Sequence, residues 1–290
     1  LKFTRIIGLA LLSALLAAAC GGDSASKTPT AASTIASPAA KATTAPTVAT
    51  LPAGKITVYA ASSLTDAFKE EAIAFQAAHP GVSVEFNFAG SPTLRTQLEQ
   101  GATADLLATA DTANMQTAVD QKLVNDLGSQ FVKNRLAIIV PKSNPGGVTG
   151  PADLAKPGLK LVLALSTVPV GKYAHDALTK MAADPSFGAG FDTKVLANLV
   201  SEEPNVKAIV TKIQLGEADA GIVYVTDVTP GIAADVKVID IPDAYNVIAS
   251  YPIAVTKGAS QPKIAQAFID YLLSAEGQAT LKKYGFIPVT

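Results

Sequence analysis

The chain holds one cysteine, two histidines and no tryptophan among its 290 residues. A lone Cys20 excludes a disulfide within the chain and any cysteine-rich metal site. The histidines offer little catalytic material. His79 precedes Pro80 at an expected helix end, His175 falls inside an expected helix, and no Gly-x-Ser-x-Gly accompanies either. A Walker loop and a Gly-x-Gly-x-x-Gly fingerprint are also missing. Asp105 and Asp111 could be taken for a carboxylate pair, but strand-end and helix-cap roles explain them better. The chain is therefore not expected to be an enzyme.

Charge of one sign is lacking too. Lys and Arg number 23 against 24 Asp and Glu, a formal net charge of −1 at pH 7. With no basic cluster, neither nucleic acid nor a polybasic membrane patch is an expected partner.

Long apolar runs are confined to the N-terminus. Lys2 and Arg5 precede an apolar stretch from Ile6 to Ala19, which is short for a transmembrane helix and matches a signal peptide over residues 1–19. Leu16-Ala17-Ala18-Ala19-Cys20-Gly21 is similar to a bacterial lipobox. Cys20 is then expected to become the lipidated first residue of the mature chain, with cleavage without lipidation as the alternative. Residues 20–53 are Ser, Thr, Ala, Pro and Lys with few large apolar side chains, a composition that predicts a flexible tether.

From about residue 54 the pattern changes to alternating strands and helices, an α/β class with largely parallel strands. Strands are expected at Ile56–Tyr59, Val82–Phe88, Ala104–Ala108, Arg135–Val140, Leu159–Leu165, Ala220–Val225, Val236–Ile241 and Tyr251–Thr256. Helices are expected at Thr65–Ala78, Pro92–Glu99, Lys172–Ala182, Val206–Leu215, Pro262–Ser274 and Glu276–Tyr284, with Asp111 capping one that runs to Lys122. The order suggests one lobe from residues 54–134 plus 250–290 and a second from 135–249. Two crossover strands, near Arg135–Val140 and Val247–Val255, would form a hinge beside a ligand-binding cleft.

Five segments pair small or hydroxyl residues with a helix start or a strand end. They are Tyr59–Asp66, Asn87–Leu94, Ser166–Tyr173, Glu203–Lys207 and Ala220–Asp227. None carries a cation at its apex. The first turn of a helix has unpaired N–H groups and a partial positive charge, so converging helix starts can hold an anion without Lys or Arg. Ser63 and Ser91, each taken alone, are better read as capping residues, and Tyr224 is equally well read as a structural tyrosine. Strand alternation would point Ser62 and Ser63 to different faces. Gly171 permits close backbone approach, leaving the Val170 and Gly171 amides free to face a ligand.

Taken in order, these segments resemble the periplasmic molybdate-binding proteins of ABC transporters. The similarity runs through Gly54-Lys55-Ile56-Thr57-Val58-Tyr59-Ala60-Ala61-Ser62-Ser63-Leu64-Thr65-Asp66-Ala67, Phe88-Ala89-Gly90-Ser91-Pro92-Thr93-Leu94 and Gly101-Ala102-x-Ala104-Asp105-Leu106. It continues through Val168-Pro169-Val170-Gly171-x-Tyr173-Ala174, Gly221-Ile222-Val223-Tyr224-x-Thr226-Asp227 and Lys283-Tyr284-Gly285-Phe286. The resemblance implies a two-lobe periplasmic-binding-protein fold of type II, hinged by two crossover strands. It implies that Ser63 and Ser91 of one lobe bind the oxyanion with the Val170 and Val206 amides and the Tyr224 hydroxyl of the other. Molybdenum would be held only as the oxyanion. Gly90 and Pro92 stand where serines are commoner, and Val170 where alanine is usual.

The resemblance further implies a monomeric extracytoplasmic lipoprotein, periplasmic or membrane-anchored through Cys20, that needs no cofactor and passes molybdate or tungstate to a permease. The chemistry agrees, because a fully deprotonated tetrahedral dianion needs donors only. Sulfate, phosphate or another solute, and a ligand-sensing lipoprotein, are the rival readings.

Overall fold

A computed structural model describes residues 51–289. The lipidation position Cys20, the signal peptide and nearly all of the tether lie outside the described residues.

The chain opens on strand β1 (Gly54–Ala61), a Ser62–Leu64 3-10 turn and helix α1 (Thr65–Ala78). Phe68 and Phe75, seven residues apart, place two rings on one face of α1, where both are fully buried. His79 and the left-handed Gly81 end this helix. Strand β2 (Val82–Ala89), helix α2 (Ser91–Glu99), strand β3 (Leu106–Ala108) and helix α3 (Thr112–Asp120) follow. The Asp111 side chain accepts from the Asn114 amide at 2.8 Å, the expected cap of α3.

Strand β4 (Ser129–Pro141) starts six residues before its expected boundary, because Phe131 and Val132 extend the buried run. After it come β5 (Leu161–Ala164), α4 (Pro169–Ala182), α5 (Phe191–Leu196), β6 (Leu199–Glu203), α6 (Val206–Gln214) and β7 (Ala220–Tyr224). Helix α4 takes in Pro169 to Gly171, since proline needs no N–H acceptor in a first turn. The chain closes with α7 (Pro230–Ala233), β8 (Val236–Asp240), β9 (Ile248–Val255), α8 (Pro262–Leu273), α9 (Ala275–Lys283) and β10 (Ile287–Pro288).

The main strand path runs β2-β1-β3-β9-β4-β7-β5-β6, with β8 and β10 also on β4. Within it, β4 serves two groups of strands. Ser129 to Arg135 pair with β9, and Val132 and Lys133 also pair with β10. From Leu136 onward β4 pairs with β7 and β8 instead. The first group holds parallel β2, β1 and β3, with Val58 opposite both Phe86 and Leu106. The second holds parallel β7, β5 and β6. This mixed α/β arrangement is the fold of the periplasmic binding proteins. The parallel strands β1, β2, β5 and β7 end at the segments singled out in the sequence.

The packing beneath the first group is aromatic. Phe68 lies 5.6 Å from Phe131, and Phe75 lies 5.2 Å from Phe268 in an edge contact. Full burial of one such ring is worth about 1.5–3 kcal/mol, enough to fix α1 and α8 against the sheet. The start of α1, beside the end of β1, is held by that packing.

Candidate functional site

The ends of β1, β2 and β7, the turn after β1 and the starts of α2, α4 and α6 meet at one small cavity. Ser63, Ser91, Val170, Val206 and Tyr224 all line it. So does Ser62, against the expectation that strand alternation would turn it away. The reason is local: Ser62 to Leu64 form a 3-10 turn rather than strand, so the period of two ends at Ala61.

Each helix start contributes free backbone donors. Helix α2 begins at Ser91 with Gly90 at its N-cap and no side-chain cap, and α4 begins at Pro169 behind Val168, also without one. Helix α6 is capped by Asn205, which accepts only from Ala208, so the Val206 amide stays outside that bond. Val170 lines the cavity, but Gly171 serves another purpose. A Cβ there would meet the Leu165 and Ala164 carbonyls at 2.2 and 2.4 Å, so its bare Cα lets α4 pack on the end of β5.

The side-chain hydroxyls differ in their partners. Ser91 Oγ accepts from the Ala110 amide at 3.0 Å, which leaves its own proton free. Ser63 Oγ lies 2.9 Å from the Tyr251 hydroxyl. Tyr224, the last residue of β7, is 1% exposed, and its hydroxyl has no hydrogen-bond partner among the described residues. Burial raises its phenol well above the ordinary range, so it remains a protonated donor. Its backbone N–H is tied to Asp227 Oδ2 at 3.1 Å, which fixes the strand end.

No charged side chain lines the cavity. The nearby Lys207, in the first turn of α6, donates to Asp66 at 2.8 Å and lies 3.7 Å from Asp227. Its charge is therefore spent on a bridge between the starts of α6 and α1. Burial pushes the Asp227 carboxyl up to about 6 against the pull of Lys207. The field in the cavity then comes from helix starts, each equivalent to roughly half a positive charge. Gly90 marks a second bridge between the strand groups, because a Cβ there would stand 2.4 Å from the Pro204 carbonyl oxygen.

Sequence reading missed the residues behind the wall. Tyr251 and Asn134, both fully buried, and Thr226 connect to Ser63 through side-chain hydrogen bonds. No local signal marks them, since Tyr251 and Ser63 are 188 positions apart. Asp105 and Asp111 have structural partners: Asp105 accepts from the Thr57 and Gln261 amides, each at 2.8 Å, and Asp111 caps α3. Among the described residues no cluster of three or more His, Cys, Asp or Glu could hold a metal ion, and no helix is long and apolar enough to cross a membrane.

A cleft between two groups of parallel strands, lined by helix starts, is the architecture of a solute-binding protein. The chain belongs to the family of bacterial extracellular solute-binding proteins, which it matches over residues 56–287. Members of this family bind and carry solutes and are not enzymes. The molybdate-binding protein ModA of Mycobacterium tuberculosis H37Rv is 38% identical to this chain, over 97% of it and 98% of ModA. Two solved structures share the fold at 19% identity. The periplasmic molybdate-binding protein of Azotobacter vinelandii superposes with a TM-score of 0.69 over 81% of this chain and 100% of its own. The sulfate-binding protein SubI of M. tuberculosis H37Rv superposes with a TM-score of 0.72 over 81% and 87%.

Proposed function

We propose that this protein captures molybdate or tungstate in the cavity and delivers it to an ABC permease. The hydroxyls of Ser63, Ser91 and Tyr224 and the amides of Val170 and Val206 are the binding groups. The observation that carries this reading is the donor set: hydroxyl residues, four with Ser62 included, and first-turn amides, with no lining carboxylate and no lining cation. Such a wall suits a proton-free dianion. The cavity leaves only about 10 Å³ open to a water-sized centre, far below the roughly 300–1,000 Å³ usual for organic ligands, which favours a compact inorganic ion. The 38% identity to ModA along nearly the whole chain supports molybdate over sulfate.

In this reading residues 54–134 plus 250–290 form one lobe and residues 135–249 the other. The β4 strand and the chain entering β9 are the hinge on which they close. The protein works as a monomer on the outer face of the cell membrane or in the periplasm. Lipidation of Cys20 anchors it, and the residues up to 53 act as the tether.

The test is a thermal-shift panel of molybdate, tungstate, chromate, sulfate and phosphate. A ligand that binds only the native state raises the melting temperature by mass action. Large shifts are expected with molybdate and tungstate and small ones with sulfate and phosphate. Sulfate or phosphate shifts as large as those of molybdate would reassign the ligand.

A further inference from the structure

Three buried side chains outside the cavity wall form a hydrogen-bonded chain that ends on Ser63. The Asn134 Oδ1 atom accepts from the Arg135 amide at 2.9 Å, which fixes the orientation of the side-chain amide. Its Nδ2 therefore faces the interior, where it donates to Thr226 Oγ1 at 2.8 Å and to the Tyr251 hydroxyl at 3.3 Å. That hydroxyl lies 2.9 Å from Ser63 Oγ. A phenol has a single proton. Either atom of this pair can donate; Asn134, by donating to the phenol oxygen, favours the arrangement in which Tyr251 gives its proton to Ser63. Ser63 Oγ then accepts, and its own proton is left to point into the cavity.

We propose that Asn134 and Tyr251 are positioning residues that fix Ser63 as a donor toward the bound oxyanion and so discriminate against anions carrying a proton. The inference rests on the oxyanion reading given above. Ser91 is biased the same way by another route, since the Ala110 amide takes one of the two lone pairs of its oxygen. A serine free to rotate would offer an acceptor to the O–H of hydrogen phosphate. Neither of these serines is free. Molybdate and sulfate carry no proton at neutral pH and lose nothing by this. Burial keeps the Tyr251 phenol protonated far above neutrality, so the direction holds across the working pH range.

Tyr251 also packs edge-on against Tyr224, Phe286 and Phe131, at centroid distances of 5.9, 5.7 and 6.5 Å. Tyr251→Phe keeps those ring contacts and removes only the hydroxyl. Calorimetry on wild type, Tyr251→Phe, Ser63→Ala and the double variant, with weak binders read by competition, separates the roles. The probes are molybdate, sulfate and phosphate. Tyr251→Phe is expected to weaken molybdate binding about tenfold and to narrow the preference for molybdate over phosphate by a similar factor. The preference for molybdate over sulfate should stay within about twofold. In the Ser63→Ala background Tyr251→Phe should have no further effect. Where Tyr251→Phe does not fold, Asn134→Leu removes the donor that turns Tyr251 and carries the same expectation. Equal losses for all three anions, or additive effects in the double variant, overturn the positioning role while leaving the oxyanion reading intact. Failure of wild type to bind any of the three overturns the proposed function itself, and the inference with it.

Discussion

Removing the Tyr224 hydroxyl tests the site most directly. The side chain is 1% exposed at the end of β7, and its oxygen has no hydrogen-bond partner among the described residues. An unpaired buried hydroxyl costs about 1–3 kcal/mol, while a hydrogen bond to a charged group contributes about 1.5–3 kcal/mol. The bound anion is the natural partner, so Tyr224→Phe should lose that whole contribution. At about 1.4 kcal/mol per factor of ten, the dissociation constant for molybdate rises roughly tenfold to hundredfold. Packing is spared, because the edge contact with Tyr251 at 5.9 Å involves the ring alone and Asp227 holds the backbone N–H. Calorimetric titration with molybdate gives the affinity, and thermal melting without ligand gives the control. The unliganded variant should melt no lower than wild type. A dissociation constant within about twofold of wild type would refute the reasoning. So would weaker binding accompanied by a lower unliganded melting temperature, since the loss would then lie in folding rather than in contact.

Ser91→Ala removes a donor and also leaves the Ala110 amide without its 3.0 Å acceptor. It should weaken molybdate binding by about tenfold or more and destabilise the unliganded protein by about 1–3 kcal/mol, both measurable beside Tyr224→Phe. Gly90→Ala places a Cβ 2.4 Å from the Pro204 carbonyl oxygen, at a φ of −63° that any residue tolerates. Only the approach of the two strand groups should suffer. Overpacking of about 1–3 kcal/mol predicts roughly fivefold to hundredfold weaker binding, an unchanged unliganded melting temperature, and a larger radius of gyration with molybdate in X-ray scattering. Glu71 is fully buried on α1, with neither carboxylate oxygen hydrogen-bonded among the described residues, and burial pushes its carboxyl from 4.5 up to about 8. The folded protein therefore keeps a proton that the unfolded chain releases. This stabilisation is complete below about pH 4.5 and is lost as pH rises through 8. Glu71→Gln stays neutral, so its melting advantage over wild type should grow between pH 5 and pH 9. A difference that does not change with pH would refute the assignment.

The local grammar of this chain is readable because each element is bounded by residues with a physical job. Helix α1 falls at Thr65–Ala78 as expected, since hydroxyl residues open it and Pro80-Gly81 cannot continue it. The donors for the anion lie where strands run into small residues and helices begin, so Ser63, Ser91, Val170, Val206 and Tyr224 could all be picked out and all reach one cavity. Helix α5 and strand β6 leave no such mark: six residues are too few to establish a helical period, and Leu199-Val200-Ser201-Glu202-Glu203 is neither an apolar run nor an alternation. The alternation expected to turn Ser62 away from the cavity also fails for a local reason. A single 3-10 turn between β1 and α1 erases it.

A deeper limit concerns direction rather than position. Sequence can place a hydroxyl at a helix start, but it cannot say whether that hydroxyl gives or receives. Ser91 is committed by an amide 19 positions away, and Ser63 by a tyrosine 188 positions away on β9. The residue that turns this tyrosine, Asn134, sits on the one strand that both strand groups share. Donor polarity at the anion is thus set from the segment on which the lobes would move, next to the place where β4 changes partners. A swing about β4 and β9 that disturbed Asn134 or Tyr251 would alter how Ser63 presents its proton as well as how far the cleft opens. Selectivity and closure would then share the same few buried side chains. Substitutions in β4 and β9, remote from every recognisable binding motif, should therefore change which anion is held as readily as substitutions in the cavity wall.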